Sequence, residues 1–123
     1  NSYKFRGNLD AQNLSDAFRA ADLVISRAGA GAIFEIAAFS KPAILIPLPS
    51  AANNHQVLNA YEYAKTGAAI VIEENNLKFN LIKIQIQRIL NDASLSRRMS
   101  EAAKNFSRIN AADKIAAEII SVK

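Results

Sequence analysis

The chain of 123 residues contains no cysteine and a single histidine, His55. The missing cysteines exclude disulfides, thiolate catalysis and cysteine-ligated metal, and with one histidine we expect no structural zinc site. No apolar run approaches the roughly 18 to 20 residues that span a membrane, and the polar start lacks the pattern of a secretory signal. These absences are typical of a cytosolic protein.

Hydrophobic residues make up 50% of the chain, which is enough for the core of one domain. The net charge of +4 comes from the C-terminal part, because residues 78–123 hold nine Lys/Arg against four Asp/Glu. A solvated helical face is the favoured interpretation, and an anionic partner such as membrane headgroups is the alternative. Nucleic acid is not indicated, since no aromatic residues interleave with the basic ones.

Short apolar runs alternate with helical patterns along the first 72 residues. This alternation predicts an α/β fold with a parallel sheet and right-handed crossovers. The predicted strands are Tyr3–Arg6, Leu23–Ser26, Pro42–Ile46 and Ala69–Ile72. Between them we predict a helix capped by Asn13 and the helices Ala30–Phe39 and His55–Thr66, and the last of these is followed by Gly67.

The remainder of the chain has helical periodicity. It predicts three helices, Leu77–Leu90, Leu95–Phe106 and Ala111–Val122, with Asn110 as the N-cap of the last. Four short strands are fewer than a complete doubly wound domain usually has. The chain also begins with Asn1 rather than methionine. We therefore expect the latter part of a longer domain.

The segment Ser26-Arg27-Ala28-Gly29-Ala30-Gly31-Ala32 follows a predicted strand and opens a helix. Its two glycines allow a sharp turn and a close approach of the backbone to a ligand. The unpaired amides of the helix N-terminus suit a phosphate. The segment matches neither G-x-G-x-x-G nor a P-loop, so a turn that binds nothing is an equal alternative.

Glu35 lies four residues after Gly31 and three after Ala32, on the same helix face as the turn. A carboxylate at this place is able to accept hydrogen bonds from both hydroxyls of a ribose. The alternative is a glutamate near a helix N-terminus that the helix dipole stabilises.

A polar cluster, Asn53-Asn54-His55-Gln56 and then Asn59, follows the third predicted strand. Its amides and imidazole suit sugar hydroxyls, while the alternative is helix capping by Asn53 or Asn54. His55 is a poor candidate for a general base, because the sequence places no Asp or Ser to orient it.

Taken in order, these motifs resemble glycosyltransferase family 28, the two-domain GT-B transferases. The matching residues are Ala21–Ala30, Glu35-Ile36-Ala37, Pro42–Pro47, Asn54-His55-Gln56 with Asn59-Ala60, and Gly67-Ala68-Ala69. The resemblance covers essentially the whole chain. It implies a Rossmann-like parallel sheet with flanking helices, part of the C-terminal domain, in which residues 1–123 form a donor-binding unit that is incomplete at its N-terminal side.

The resemblance also implies roles for individual residues. Glu35 matches the acid that binds the ribose, and the turn from Gly29 through Ala30, Gly31 and Ala32 matches the one whose backbone meets the diphosphate. Gln56 matches a glutamine that contacts the N-acetylglucosamine, with His55 and Asn59 beside it. Leu9 matches the residue whose backbone contacts uracil. Two positions depart from the family: Ala32 stands where Thr or Ser is common, and Asn54 where Asp is common.

The activity implied by the resemblance is transfer of N-acetylglucosamine from UDP-N-acetylglucosamine to lipid I, with inversion, giving lipid II for peptidoglycan. It implies no metal and no cofactor. It also implies an acceptor-binding N-terminal domain and peripheral association with the cytoplasmic face of the bacterial plasma membrane. The family's glycine-rich loop and acceptor domain do not occur in this sequence, so we expect weak donor binding, no catalytic residue in this part and no transferase activity of this part alone.

Three alternatives remain open. The first is another UDP-sugar transferase of the same fold, such as the eukaryotic half-enzyme that joins a membrane partner. The second is a non-catalytic nucleotide-binding or interaction domain. The third is a basic surface that binds anions and is sensitive to salt.

Overall fold

Helices and strands alternate through most of the chain in a computed structural model, which describes residues 11–49 and 55–121. The elements are α1 (Ala11–Ala20), β1 (Val24–Ser26), α2 (Ala30–Ala38), β2 (Ala43–Leu45), α3 (His55–Ala64), β3 (Ala69–Val71), a 3-10 turn (Glu74–Asn76), α4 (Phe79–Asn91) and α5 (Ala93–Ser121). The predicted strand Tyr3–Arg6, Leu9 and the Asn53-Asn54 pair lie outside the described residues.

The three strands form one parallel sheet in the order β1-β2-β3. Ile44 lies at the centre, opposite Ile25 of β1 and Ile70 of β3. Backbone hydrogen bonds extend the ladder past the strand ends, from Ile46 N to Ser26 O at 2.8 Å and from Ile72 N to Leu45 O at 2.9 Å. The predicted parallel sheet with flanking helices is therefore confirmed.

Apolar side chains cover both faces of the sheet, as expected for a parallel sheet with helices on both sides. On one face Leu45 of β2 packs in a cluster with Ile36 of α2, Tyr63 of α3 and Ala103 of α5. On the other face Ile44 packs with Ile89 of α4 and Met99 of α5. Burial on both faces holds the three strands in place between the helices.

Helix α2 ends in a conformation that returns the chain directly to the sheet. Ser40 adopts the left-handed φ of 57°, and its N–H donates to Ala37 O at 2.9 Å. The N–H of Lys41 donates to Ile36 O at 3.3 Å, so the two bonds form a Schellman-type end. Pro42 follows at the start of β2, where its carbonyl accepts from Val24 N.

The helices of the C-terminal region differ from their predicted bounds, since α4 begins at Phe79 rather than Leu77 and α5 at Ala93 rather than Leu95. The predicted break before Ala111 is wrong, because α5 is a continuous helix from Ala93 to Ser121. Asn110 is not an N-cap; its Nδ2 donates to Phe106 O inside the helix at 2.8 Å. The segment between Phe106 and Ala111 contains neither glycine nor proline, so no residue there ends the helix. Within the described residues, no helix combines the length and the apolar character that a membrane crossing needs.

The first helix also begins earlier than predicted. α1 starts at Ala11, so Asn13 lies in its first turn rather than before it. Ala11 and Gln12 are good helix formers, which explains the extension.

Tyr63 is the largest fully buried side chain, and its hydroxyl has no hydrogen-bond partner among the described residues. We expect Tyr63→Phe to raise the free energy of unfolding by about 1 kcal/mol at neutral pH, because a buried unpaired hydroxyl is costly. The ring remains edge-on to Phe106, with centroids 4.9 Å apart. Chemical denaturation at neutral pH measures the difference.

The difference in free energy of unfolding between Tyr63→Phe and the unmodified chain should increase at alkaline pH. Burial raises the pKa of Tyr63 to about 12 from the usual 10.0. Between pH 10 and 12 the Tyr63 hydroxyl therefore stays protonated in the folded chain while it ionises in the unfolded chain, so the free energy of unfolding falls as the pH rises. The advantage of Tyr63→Phe should grow across that window, and a constant difference would contradict it.

Candidate functional site

The carboxyl ends of the three strands meet at one edge of the sheet, and polar side chains follow each of them. Arg27 comes directly after β1, and Glu73 and Glu74 come shortly after β3. The segment after β2 leads to α3, whose first residues are His55 and Gln56. In open parallel sheets ligands bind beyond this edge, so it is the candidate site.

The N-terminus of α2 opens at this edge. Gly29 is its N-cap and provides no side-chain cap, and Ile33 N donates to Gly29 O at 3.0 Å as the first helical bond. The N–H groups of Ala30, Gly31 and Ala32 precede that bond and so have no partner within the helix. A Cβ at Gly31 would meet no atom of the described residues within 4 Å, so these residues leave the space over the first turn open.

Of the two purposes predicted for the glycines, a sharp turn and a close approach to a ligand, the first does not apply at Gly29. Gly29 has φ −67° and ψ 150°, a conformation that other residues adopt readily, so the sharp turn does not require glycine there. A Cβ at Gly29 would lie 3.9 Å from Gln56 Nε2, in ordinary contact. The backbone at Gly29 therefore makes no unusual turn, and the close approach of a ligand stays a prediction.

Gln56 connects the loops after β1 and β2. Its Oε1 accepts from Leu48 N at 2.8 Å and from Ala28 N at 3.4 Å. These bonds hold the amide against Gly29, next to the N-terminus of α2. Since the oxygen is used within the protein, the Nε2 group is the part of Gln56 available to donate to a ligand.

The other predicted residues lie around this point. Glu35 is exposed on α2, one turn beyond Gly31, while Ile33, Ile36 and Ala37 form the buried face. His55 is exposed at the start of α3, and Asn59 is half-buried one turn further on. Leu9 lies outside the described residues. The structure thus brings α2 and α3 together at one edge, while the ligand roles of their residues stay predictions.

Two contacts of glutamate side chains at this edge were not predicted, an ion pair of Glu74 and a hydrogen bond to Glu73. Arg27 Nη2 contacts Glu74 Oε1 at 2.9 Å, and Arg27 Nη1 donates to Ile46 O at 3.4 Å. The hydroxyl of Tyr61 donates to Glu73 Oε2 at 2.6 Å, and this bond is the main cause of the raised pKa of Tyr61. The available signal was the Glu73-Glu74 pair, which follows a predicted strand just as Arg27 does.

Of two cavities in the described part of the chain, one lies at this edge and the other lies away from it. A small one of about 30 Å³ lies at it, lined by Pro47, Pro49, Val57, Glu73, Glu74 and Asn75. A larger concavity of about 570 Å³ lies along α5, between Arg97 and Asn110, and none of the predicted site residues lines it. We place the site at the strand ends, because the unpaired helix amides lie there. Among the described side chains, no three His, Cys, Asp or Glu cluster as metal ligands would.

A parallel sheet flanked by helices, with the N-terminus of α2 at the carboxyl ends of the strands, is the architecture of a Rossmann-like α/β domain. Comparison with known families gives the particular group. Residues 9–116 match the family described as Glycosyltransferase family 28 C-terminal domain, and the chain belongs to this family.

Several curated relatives share the name UDP-N-acetylglucosamine--N-acetylmuramyl-(pentapeptide) pyrophosphoryl-undecaprenol N-acetylglucosamine transferase. The chain is 43% identical to the one from Anaeromyxobacter sp. over 104 residues, which is 85% of this chain and 27% of the relative. It is 45% identical to the one from Caldicellulosiruptor saccharolyticus over 96 residues, which is 78% of this chain and 26% of that relative. The chain therefore spans about a quarter of the length of these relatives.

A solved structure agrees with the sequence comparison. The crystal structure of Acinetobacter baumannii MurG superposes with a TM-score of 0.66 at 32% identity. The match covers 75% of this chain and 26% of that chain. The predicted resemblance to the family is thus confirmed, and with it the fold.

Proposed function

We propose that this chain is the donor-binding part of a UDP-N-acetylglucosamine transferase that converts lipid I to lipid II in peptidoglycan biosynthesis. The observation that carries the proposal is the open N-terminus of α2, with Glu35 one turn deeper on the exposed face. Family membership and the names of the relatives support the choice of donor and acceptor.

The diphosphate of the donor lies over the first turn of α2 in this proposal. The amides of Ala30, Gly31 and Ala32 and the positive end of the helix dipole face it. As the sugar is transferred, negative charge grows on the departing UDP, and fixed N–H donors stabilise that charge without reorganising. This role requires no resident metal or cofactor.

The ribose and the sugar lie on either side of the diphosphate. The Glu35 carboxylate accepts hydrogen bonds from the ribose hydroxyls. Gln56 Nε2, with His55 and Asn59 on the same helix, contacts the hydroxyls of the N-acetylglucosamine. Leu9 is proposed to contact uracil through its backbone.

We assign the acceptor half of the reaction to the part of the relatives that this chain does not cover. The proposal is that residues outside this chain bind lipid I, deprotonate the C4 hydroxyl of its muramoyl residue and contact the cytoplasmic face of the plasma membrane. Attack from the side opposite to UDP inverts the anomeric configuration. The 123-residue chain by itself is therefore proposed to bind donor without transferring sugar.

Titration of UDP-N-acetylglucosamine into the isotopically labelled chain tests donor binding. We expect the amide signals of residues 29–35 and of His55 and Gln56 to shift at millimolar ligand, while those of α4 stay in place. Unmoved signals at residues 29–35 would contradict the proposal.

Competition between donors separates the proposal from its nearest alternative. UDP-N-acetylglucosamine should displace a bound UDP probe at lower concentration than UDP-glucose or UDP-galactose does. Equal displacement by all three would favour another UDP-sugar transferase of the same fold. Release of the probe by added salt, with no displacement by unlabelled UDP, would favour an anion-binding surface.

A further inference from the structure

The guanidinium of Arg27 joins all three loops at the candidate site. Its own backbone lies between β1 and α2, its Nη1 donates to Ile46 O after β2, and its Nη2 contacts Glu74 Oε1 after β3. The Arg27 and Glu74 side chains are 49% and 36% exposed, so the pair is partly shielded from water. Residues 27 and 74 are 47 positions apart, which makes this contact a tertiary one.

The contact lies immediately before the N-terminus of α2. Arg27 is two residues from the N-cap Gly29, and between them Ala28 is fully buried. Gln56 holds Ala28 N and Leu48 N from the side of α3. The start of α2 is therefore fixed from two directions, by a neutral amide and by an ion pair.

We propose that Arg27 and Glu74 are positioning residues, whose ion pair sets the direction of the α2 amides toward the donor diphosphate. The inference deepens the proposed function and rests on it. Because Arg27 is already paired with Glu74 and Ile46 O, its role differs from that of a cation that binds phosphate directly. The two roles predict opposite effects when Glu74 loses its charge.

The decisive variant is Glu74→Gln in the 123-residue chain. A positioning role predicts that UDP affinity falls about fivefold, which is the upper range for a partly exposed ion pair, while uridine affinity stays unchanged. Direct binding of phosphate by Arg27 predicts higher UDP affinity, because the competing carboxylate is neutralised, and that result would overturn the inference. Equal loss of UDP and uridine binding would also overturn it, since it indicates general destabilisation.

Exchanging the charges of Arg27 and Glu74 gives a second measurement of how their contact affects UDP affinity. Arg27→Glu should weaken UDP binding, and the double variant Arg27→Glu/Glu74→Arg should recover a good part of it. No recovery in the double variant would contradict a pair that acts through its mutual contact. Glu62→Gln is the matched control, because Glu62 of α3 forms an ion pair at 3.1 Å with Lys65, the residue that follows this helix. It should leave UDP affinity unchanged.

The unliganded chain separates this inference from the proposed function. Glu74→Gln should shift the amide signals of residues 29–32 without any ligand, and Glu62→Gln should not. If the unmodified chain fails to bind UDP, the proposed function fails, while these shifts still decide whether the pair positions α2. Unchanged signals at residues 29–32 would refute the positioning role.

Discussion

Replacing Glu35 by alanine is expected to weaken UDP binding by roughly 10- to 100-fold, the range for losing hydrogen bonds to a charged group. Glu35 is exposed on α2, one turn beyond the open turn at Gly31. Its carboxylate is proposed to accept from the ribose hydroxyls, and alanine leaves these hydroxyls without that partner. Calorimetry or amide shifts measured with UDP give the change in affinity.

A ligand that lacks one ribose hydroxyl tests the contact with Glu35 more directly. In the unmodified chain, 2′-deoxyuridine diphosphate should bind more weakly than UDP, and in Glu35→Ala the two should bind alike. A preference for UDP that survives the substitution would place the ribose elsewhere. Glu62→Ala is the control, because Glu62 is an exposed glutamate of α3 and is paired with Lys65. Neither change should alter the free energy of unfolding by more than about 0.5 kcal/mol.

Ile44→Ala is expected to lower the free energy of unfolding by about 2–5 kcal/mol. Ile44 is fully buried at the centre of β2 and packs against Ile89 and Met99. The shortened side chain leaves a cavity between the sheet and α4, which rigid neighbours fill only in part. Since small domains have a total stability of about 5–15 kcal/mol, the loss is a large part of the total. Denaturant titration measures it.

The sheet itself offers a matched control for this substitution. Ile25 is the register partner of Ile44 on β1, but it is 44% exposed. Ile25→Ala should lower the free energy of unfolding by about 1 kcal/mol or less, because the exposed side chain buries less apolar surface when the chain folds. If Ile44→Ala leaves no folded protein, Ile44→Val gives a measurable loss of roughly 0.5–1.5 kcal/mol. Equal costs at positions 25 and 44 would contradict the assignment of the core.

Most elements of the fold could be predicted from local patterns. The strands β1, β2 and β3 lie within their predicted bounds, and α2 and α3 begin at the predicted residues Ala30 and His55. Apolar runs, glycine turns and helical periodicity extend over only a few residues, so they can be recognised in the sequence without knowledge of the tertiary structure. The prediction was wrong at Asn110, where an asparagine that often caps a helix lies inside α5.

The candidate site was predicted in part for the same reason. Polar residues directly after strands are visible in the sequence, and the topology of a parallel sheet brings them to one edge. The pattern identified the turn at Gly29–Ala32, Glu35 and the start of α3, and the structure places these elements at that edge. It assigned no structural task to Gln56, whose oxygen joins two loops.

The order of the elements, the parallel sheet and the family follow from the sequence by itself, because neighbouring residues determine them. Only the tertiary structure decided the contact of Arg27 with Glu74, the bridge from Gln56 to Ala28 and the burial of the Tyr63 hydroxyl, which has no hydrogen-bond partner in the described part of the chain. The first two contacts join residues 47 and 28 positions apart, and all three depend on how helices pack on the sheet. Local periodicity contains no information on such distances, because they arise when apolar faces are buried together.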